Sequence, residues 1–219
     1  SRGNVVNPDE IVREYGADTM RLYEMFIGDF EKSAPWSSAS IKGCKRFLDR
    51  IWALQDVVVD GDTYRDELRA SFHKTIKKVT EDIEELKFNT AIASMMSLLN
   101  QIAAVGSINR AEFKTFLILL NPFAPHITEE LFEQMNYGGM VTEASWPTYD
   151  EAECVEDTIE LVVQVNGKLR GKLVVAADIS KDDAISVAKE EPHVKEAISG
   201  KNVVKEIYVP GKLVNIVAK

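Results

Sequence analysis

The sequence predicts a mainly α-helical bundle followed by a small α+β domain of β-β-α-β-β order. Apolar residues recur every three or four positions through residues 7–136, which is the period of an amphipathic helix. From Leu161 onward they alternate with polar residues, which is the period of a strand. The charge changes too: residues 1–157 hold 16 Lys and Arg against 27 Asp and Glu, a net −11, and residues 158–219 hold 10 against 8, a net +2.

Helix-start and helix-stop residues divide the N-terminal region. We expect Asn7 to cap a first helix, with Glu10 completing a capping box, and Gly16 to end it. A second helix is expected up to Gly28, and a third, long helix from about Ser38.

A fourth helix is expected over residues 63–86, because its apolar residues are spaced by three or four positions. Asn89 is expected to cap a fifth helix, which Gly106 ends. Asn109 and Glu112 form a capping box for a sixth. Two prolines within residues 121–131 then separate that helix from a seventh.

The tail contains strand and turn signals. Asn166-Gly167 between two alternating segments predicts a type I′ hairpin, with the second strand over residues 168–175. Ser180 is expected to cap a helix that Pro192 interrupts. Two further strands are expected at 203–209 and 213–217.

These signals predict four segments. We expect helices at 1–30, a helical bundle at 31–140, a connector at 141–158 and a C-terminal α+β domain at 159–219.

Composition favours a cytoplasmic protein without a membrane partner. The sequence shows neither an 18-residue apolar run nor a secretory leader. Only Cys44 and Cys154 occur, which is typical of reduced thiols rather than a disulfide framework.

No catalytic or metal site is complete in the sequence. His73, His126 and His193 are far apart and have no Cys or Glu at metal-ligand spacing. The Gly-Lys pairs in the tail lack the other residues of a phosphate-binding loop. We therefore predict no metal and no cofactor in this chain. His126, just after a proline at a helix start, is interpreted as a capping or core-edge residue.

Cationic residues in the tail are the candidate nucleic-acid ligands. Strict alternation along the second tail strand places Lys168, Arg170 and Lys172 on one face and its apolar residues on the other. Lysines near the last two strands extend the candidate surface: Lys201, Lys205 and Lys212. Such a surface would contact phosphates without reading sequence. A solvated sheet face protected by lysines is the alternative interpretation.

The third helix carries a second candidate group, consisting of Lys45, Arg46 and Arg50. Acidic residues intervene in this region, so a solvated helix face with weak ion pairs is the favoured interpretation of these cations.

Several segments resemble class I aminoacyl-tRNA synthetases. Residues 1–12 are similar to the run that follows the Lys-Met-Ser-Lys-Ser signature, of which Ser1 would be the last residue. The Gly-Ala-Asp-Thr segment at 16–19 and the run at 121–131 resemble the helical anticodon-binding-type domain of the branch that charges leucine, isoleucine, valine and methionine.

The tail selects the leucine branch of that family. Val-Gln-Val-Asn-Gly-Lys-Leu-Arg-Gly-Lys at 163–172 and Ile-Tyr-Val-Pro-Gly-Lys-Leu-Val-Asn-Ile-Val at 207–217 resemble the C-terminal domain of bacterial-type leucyl-tRNA synthetases. The resemblance covers essentially the whole chain and implies a C-terminal fragment.

The resemblance implies a parent enzyme, a leucine-tRNA ligase, that activates leucine with ATP and magnesium and transfers it to tRNA(Leu). The catalytic and editing parts are not in this sequence, so the fragment is expected to be inactive and to bind tRNA(Leu). The other expected partner is the catalytic domain of the same polypeptide, in a monomeric parent. A non-catalytic protein-interaction scaffold would explain the acidic bundle equally well.

Overall fold

The computed structural model describes residues 6–28, 34–154, 158–176 and 179–219. The chain divides into two compact units, residues 1–154 and 155–219. The first unit is a helical bundle and the second a small α+β fold, which confirms the predicted fold class.

The described part of the first unit contains seven α-helices, two very short strands and three 3₁₀ turns. The helices are α1 (Pro8–Tyr15), α2 (Ala17–Phe26), α3 (Ser38–Ala53), α4 (Asp66–Glu84), α5 (Phe88–Val105), α6 (Arg110–Leu120) and α7 (Pro125–Gln134). The strands β1 (Val58–Val59) and β2 (Ile108–Asn109) pair in parallel. The 3₁₀ turns span Leu54–Val57, Val141–Glu143 and Ala152–Cys154.

Aromatic residues fill the centre of the bundle. The largest fully buried side chains include Tyr23, Phe72, Phe113, Phe116 and Phe132. By length and composition alone α5 could cross a membrane. Its apolar residues at spacings of three and four belong instead to the core shared with α4 and α6, as expected for a bundle helix.

Local capping signals account for several helix ends. Asn7 accepts a hydrogen bond from the backbone N–H of Asp9, and Gly106 ends α5 in the left-handed conformation. Asn109 and Glu112 form the predicted capping box. The prediction that Asn89 caps α5 is wrong, because the helix already begins at Phe88.

The loop before α4 is fixed by a buried carboxylate. Glu112 is fully buried and accepts hydrogen bonds from the backbone N–H of Arg65 at 2.9 Å and from its guanidinium at 2.7 Å. This contact holds Arg65 at the N-cap in an extended conformation, so α4 begins at Asp66. The sequence period had predicted an earlier start, near Thr63.

Residues 141–154, which were predicted as part of a connector, belong to the first unit and contact its helix α4. The Trp146 indole donates to Thr80 Oγ1 at 2.9 Å, and the backbone N–H of Asp150 donates to His73 Nδ1 at 2.9 Å. The division at residue 30 stays a prediction, since residues 29–33 lie outside the described part of the chain.

The second unit is a four-stranded sheet with two helices on one face. Its elements are β3 (Thr158–Val165), β4 (Lys168–Ala176), α8 (Lys181–Glu190), α9 (Pro192–Ile198), β5 (Val203–Val209) and β6 (Leu213–Ala218). The strand order is β4-β3-β6-β5, with β3 and β6 parallel and the outer pairs antiparallel. Alternate residues of the inner strands pack against α8 and α9, which leaves the opposite sheet face open.

The first hairpin has the predicted turn. Asn166 and Gly167 both have positive φ, 51° and 77°, as a type I′ turn requires. The Asn166 side chain also bonds the backbone N–H and C=O of Ala218, at 3.0 and 2.9 Å. The turn is thereby attached to the last strand.

Candidate nucleic-acid interface

Strand β4, which carries three of the candidate cations, contains a β-bulge. Val163 pairs with Gly171 and Gln164 pairs with Leu169, so Arg170 is an extra residue without a partner in β3. An extra residue reverses the alternation of side chains between the two sides of the bulge.

The bulge places Lys168 and Lys172 on opposite faces. Lys168 pairs with Val165, which is buried against the helices, whereas Lys172 pairs with Val162 on the open face. The prediction that Lys168, Arg170 and Lys172 share one face is therefore wrong, because it assumed a regular ladder. All three are exposed, and their contact with nucleic acid stays a prediction.

The open face combines exposed apolar side chains with two cations. Leu169 and Val174 are 59% and 75% exposed. Lys172 forms an ion pair with Glu160 at 2.8 Å, with both side chains more than half exposed. Lys205 pairs in register with Val217 and lies on the same open face. Because an exposed ion pair is weak, Lys172 can exchange Glu160 for a phosphate at little cost.

Two further tail cations lie at the ends of strands. Lys212 is exposed in the turn between β5 and β6, where its backbone C=O accepts from Val162 N at 3.1 Å. Lys201 follows α9, and its ammonium donates to the carbonyl of Ala197 at 2.8 Å, near the helix C-terminus. The Lys212 ammonium is thus more available to a ligand than that of Lys201, since the Lys212 side chain forms no hydrogen bond within the described residues.

Arg170 lies near an imidazole–carboxylate pair on the helix side. His193 Nδ1 is 2.8 Å from Glu191 Oε1. This bond raises the pKa of His193, whereas the positive charge of Arg170 lowers it slightly. The same bond, with the backbone N–H of Val194, lowers the pKa of Glu191. The helix side of the bulge therefore carries a cation, a titratable imidazole and a carboxylate.

The candidate cations of α3 are partly engaged within the bundle. Lys45 forms an i,i+4 ion pair with Asp49. The Arg50 guanidinium donates to Asn100 Oδ1 at 2.9 Å, whereas Arg46 is exposed and forms no hydrogen bond within the described part of the chain. These contacts are those of a solvated helix face, so α3 is a weaker candidate than the tail.

Lys45 also lines a cleft of about 450 Å³ beside the start of α7. On its wall, buried Asp18 accepts hydrogen bonds from the backbone N–H groups of His126 and Ile127, at 3.3 and 2.7 Å. Asp18 thus supplies the cap of α7 from another helix. His126 Nδ1 is also 2.7 Å from Asp18 Oδ1, so His126 contacts the cap and does not supply it.

A second cationic surface of the bundle was not predicted. Arg110 and Lys114 lie one turn apart on α6 and face Arg69 of α4 across two adjoining depressions. The i,i+4 spacing of the α6 pair was visible in the sequence. Its approach to Arg69 depends on the tertiary fold.

The described residues do not form a metal centre. No group of three or more His, Cys, Asp or Glu in them is arranged to hold an ion. Cys44 is buried, which raises the pKa of its thiol to about 11, and Cys154 is also a free thiol. Ser1, with the rest of residues 1–5, lies outside the described part of the chain.

The class of protein follows from the bundle. A family model for the anticodon-binding domain of tRNA ligases matches residues 66–185, and the chain belongs to this family. Its sequence is similar to a leucine–tRNA ligase of Alkaliphilus oremlandii (strain OhILAs), with 53% identity over all 219 residues. The chain spans 27% of the length of that relative and corresponds to a C-terminal part of it, which confirms the resemblance seen in the sequence.

A solved structure supports the same assignment. The chain is similar to the LeuRS of Agrobacterium radiobacter K84 in a ternary complex with tRNA and LeuAMS, with a TM-score of 0.70 and 29% identity. The match covers 100% of this chain and 31% of that one. Both units therefore have counterparts in one tRNA ligase.

Proposed function

We propose that this chain is the tRNA-binding part of a leucine–tRNA ligase, in which tRNA(Leu) is held by shape and phosphate contacts. The observation that carries the proposal is the match of both units to enzymes of this specificity. The parent enzyme activates leucine with ATP and magnesium, and transfers it to the tRNA 3′ end. It acts in the cytoplasm as a monomer, and its catalytic domain, on the same polypeptide, is the other partner of this chain.

The proposed tRNA contacts are the exposed cations described above. In the second unit they are Lys172, Lys205 and Lys212 near the open face and Lys168 and Arg170 on the helix side, with Lys201 as a minor contact. In the first unit they are Lys45, Arg46 and Arg50. The open face suits RNA best, because its apolar side chains can contact ribose or a base while the lysines contact phosphates.

The test is equilibrium binding of the 219-residue chain to tRNA(Leu) and to an unrelated tRNA at several salt concentrations. Phosphate contacts predict that affinity falls steeply with salt, by a slope of about 0.7–0.9 for each phosphate neutralised. Preference for tRNA(Leu) would show that these units contribute to tRNA identity. Absence of binding at low salt would reject the proposal and favour the protein-interaction scaffold.

The bulge permits a matched comparison of the two faces. The open-face pair Lys172→Gln with Lys205→Gln, and the helix-side pair Lys168→Gln with Arg170→Gln, each remove two positive charges. We expect the open-face pair to weaken tRNA binding about tenfold or more at low salt, and the helix-side pair to have the smaller effect. Thermal unfolding of each variant is the control, since none of the four side chains is buried.

A further inference from the structure

We propose that a groove between α4 and α6 binds the phosphodiester backbone of RNA. Its residues are Arg69, His73, Arg110, Lys114 and Tyr137, with Asp62 on the rim, and we call it the α6 groove. This inference rests on the proposed function and adds a contact surface made of residues other than those of α3 and of the second unit.

The α6 groove consists of two depressions of about 550 and 440 Å³. Asp62, Ala111 and Lys114 line both, so the depressions adjoin. Arg110 and Tyr137 lie in the first depression, and Arg69 and His73 in the second. Lys114 stands between them, where its ammonium can reach a ligand in either.

The two cations of α6 are held without being neutralised. The Lys114 ammonium lies 5.7 Å from the ring centre of Phe132 and 5.8 Å from that of Tyr137. The Arg110 guanidinium lies 4.9 Å from the Tyr137 ring and donates to the carbonyl of Met135 at 2.7 Å. Neither cation forms a salt bridge to a carboxylate within the described residues. Ring contacts orient a cation but leave its positive charge available to an anion.

Other lysines of the bundle differ in this respect. Lys77 pairs with Glu151 and Lys78 with Asp82, each at 2.6 Å. Lys114 and Arg110 thus differ from these two lysines, because neither has a carboxylate partner within the described residues, although the region has a net charge of −11.

The second depression adds hydrogen-bond donors. Arg69 forms an exposed ion pair with Asp66 at 2.7 Å. Because such a pair is weak, a phosphate can take the place of the Asp66 carboxylate. His73 Nδ1 accepts from the backbone N–H of Asp150, so the imidazole proton lies on Nε2, which can donate. Guanidinium, ammonium and imidazole N–H groups are donors, and a phosphodiester is an acceptor, so the lining fits this ligand.

The family match favours RNA over an acidic peptide as the ligand of the α6 groove. The anticodon-binding domain match, residues 66–185, contains all the cationic residues of the groove. The solved neighbour is a complex with tRNA. An acidic peptide has a similar charge and is one outcome of the test.

The test uses the 219-residue chain and a fluorescently labelled tRNA(Leu) transcript, with binding measured by anisotropy at several salt concentrations. Lys114→Gln is expected to weaken binding about three- to tenfold at low salt and to reduce the salt slope by about 0.9. Lys114→Arg keeps the positive charge, so this variant should bind tRNA as tightly as the unsubstituted 219-residue chain does. Lys87→Gln is the matched control, because Lys87 is an exposed lysine of the same unit that does not line the groove.

Asp62→Asn provides a gain-of-binding test that loss of folding cannot imitate. The Asp62 carboxylate is exposed and forms no ion pair or hydrogen bond within the described residues, so the isosteric change removes only a negative charge at the rim. We expect tRNA affinity to rise about twofold or more at low salt.

The outcomes separate this inference from the proposed function. If the parent chain binds tRNA but Lys114→Gln and Asp62→Asn bind equally well, the groove proposal is wrong and the proposed function stands. If Lys114→Gln reduces binding of polyglutamate and not of tRNA, the occupant is an acidic peptide and the groove proposal is again wrong. If the parent chain binds no tRNA at low salt, both proposals fail.

Discussion

Glu112→Gln is expected to destabilise the bundle by about 3 kcal/mol. The carboxylate is fully buried and bridges two loops. It accepts hydrogen bonds from the backbone N–H of Arg65 at 2.9 Å, from the Arg65 guanidinium at 2.7 Å and from the backbone N–H of Asn109 at 2.9 Å. It therefore fixes the start of α4 and of α6 together.

The expected loss of unfolding free energy follows from the N–H donors that a glutamine amide at position 112 would leave without an acceptor. Glutamine keeps one carbonyl acceptor, but its NH₂ group would meet the donors that now contact the second carboxylate oxygen. A hydrogen bond to a charged group contributes about 1.5–3 kcal/mol, and removing one partner of a buried ion pair costs about 3–5 kcal/mol. The Arg65 side chain is 25% exposed and can be partly hydrated, so we expect the lower end of that range.

The assay is urea denaturation monitored by circular dichroism, with Glu84→Gln as the control because Glu84 is an exposed glutamate of α4. A loss of about 3 kcal/mol corresponds to a decrease in melting temperature of about 6–12 °C for a domain of this size. In a double-mutant cycle, Arg65→Met should cost much less in the Glu112→Gln background than alone. A loss below about 1 kcal/mol, or additive effects, would refute the reasoning.

Three other predictions concern local contacts. Asp18→Asn should reduce the unfolding free energy by about 1–2 kcal/mol, because it weakens the charged cap of α7, and unchanged urea denaturation would contradict this. Asn166→Ala should destabilise the second unit by about 1–2 kcal/mol through the positive φ and the lost side-chain bonds, and hydrogen exchange of the β3–β4 hairpin should then be faster. The pKa of His193, measured by NMR titration, should lie above 6.5 and fall in Glu191→Gln. The contribution of this pair to stability should be present between about pH 4.5 and 6.5, lost as the pH rises through the raised pKa of His193, and lost as it falls through the lowered pKa of Glu191.

Local sequence predicted the elements whose determinants lie within a few residues. The Asn109–Glu112 capping box, the end of α5 at Gly106 and the type I′ turn at Asn166 each depend on neighbouring backbone groups. The prediction that Asn89 caps α5 was wrong because another residue nearby takes the N-cap position. Lys87 is the N-cap instead, and its carbonyl accepts from the backbone N–H groups of Thr90 and Ala91, so α5 starts two residues before the expected position.

The candidate interface was less accessible to sequence reasoning. The cations were identified by type, but their grouping on one face depended on an unbroken ladder that the bulge at Arg170 interrupts. A bulge is set by pairing with another strand. Gly171 within the predicted strand was a local signal for it, because a glycine inside a strand often marks a bulge, but it does not specify which residue is the extra one. At Gly171, a Cβ would lie only 2.9 Å from the Glu191 side chain, which is a contact between distant parts of the unit.

The sequence by itself determined the two-part architecture, several helix ends, the hairpin turn and the family resemblance, because period and capping are local and the family segments are continuous. Only the tertiary structure decided the start of α4, the face on which each tail cation lies and the approach of Arg69 to Lys114. These features depend on contacts between residues far apart in the chain, such as the bond of Arg65 to Glu112, and no local pattern specifies them.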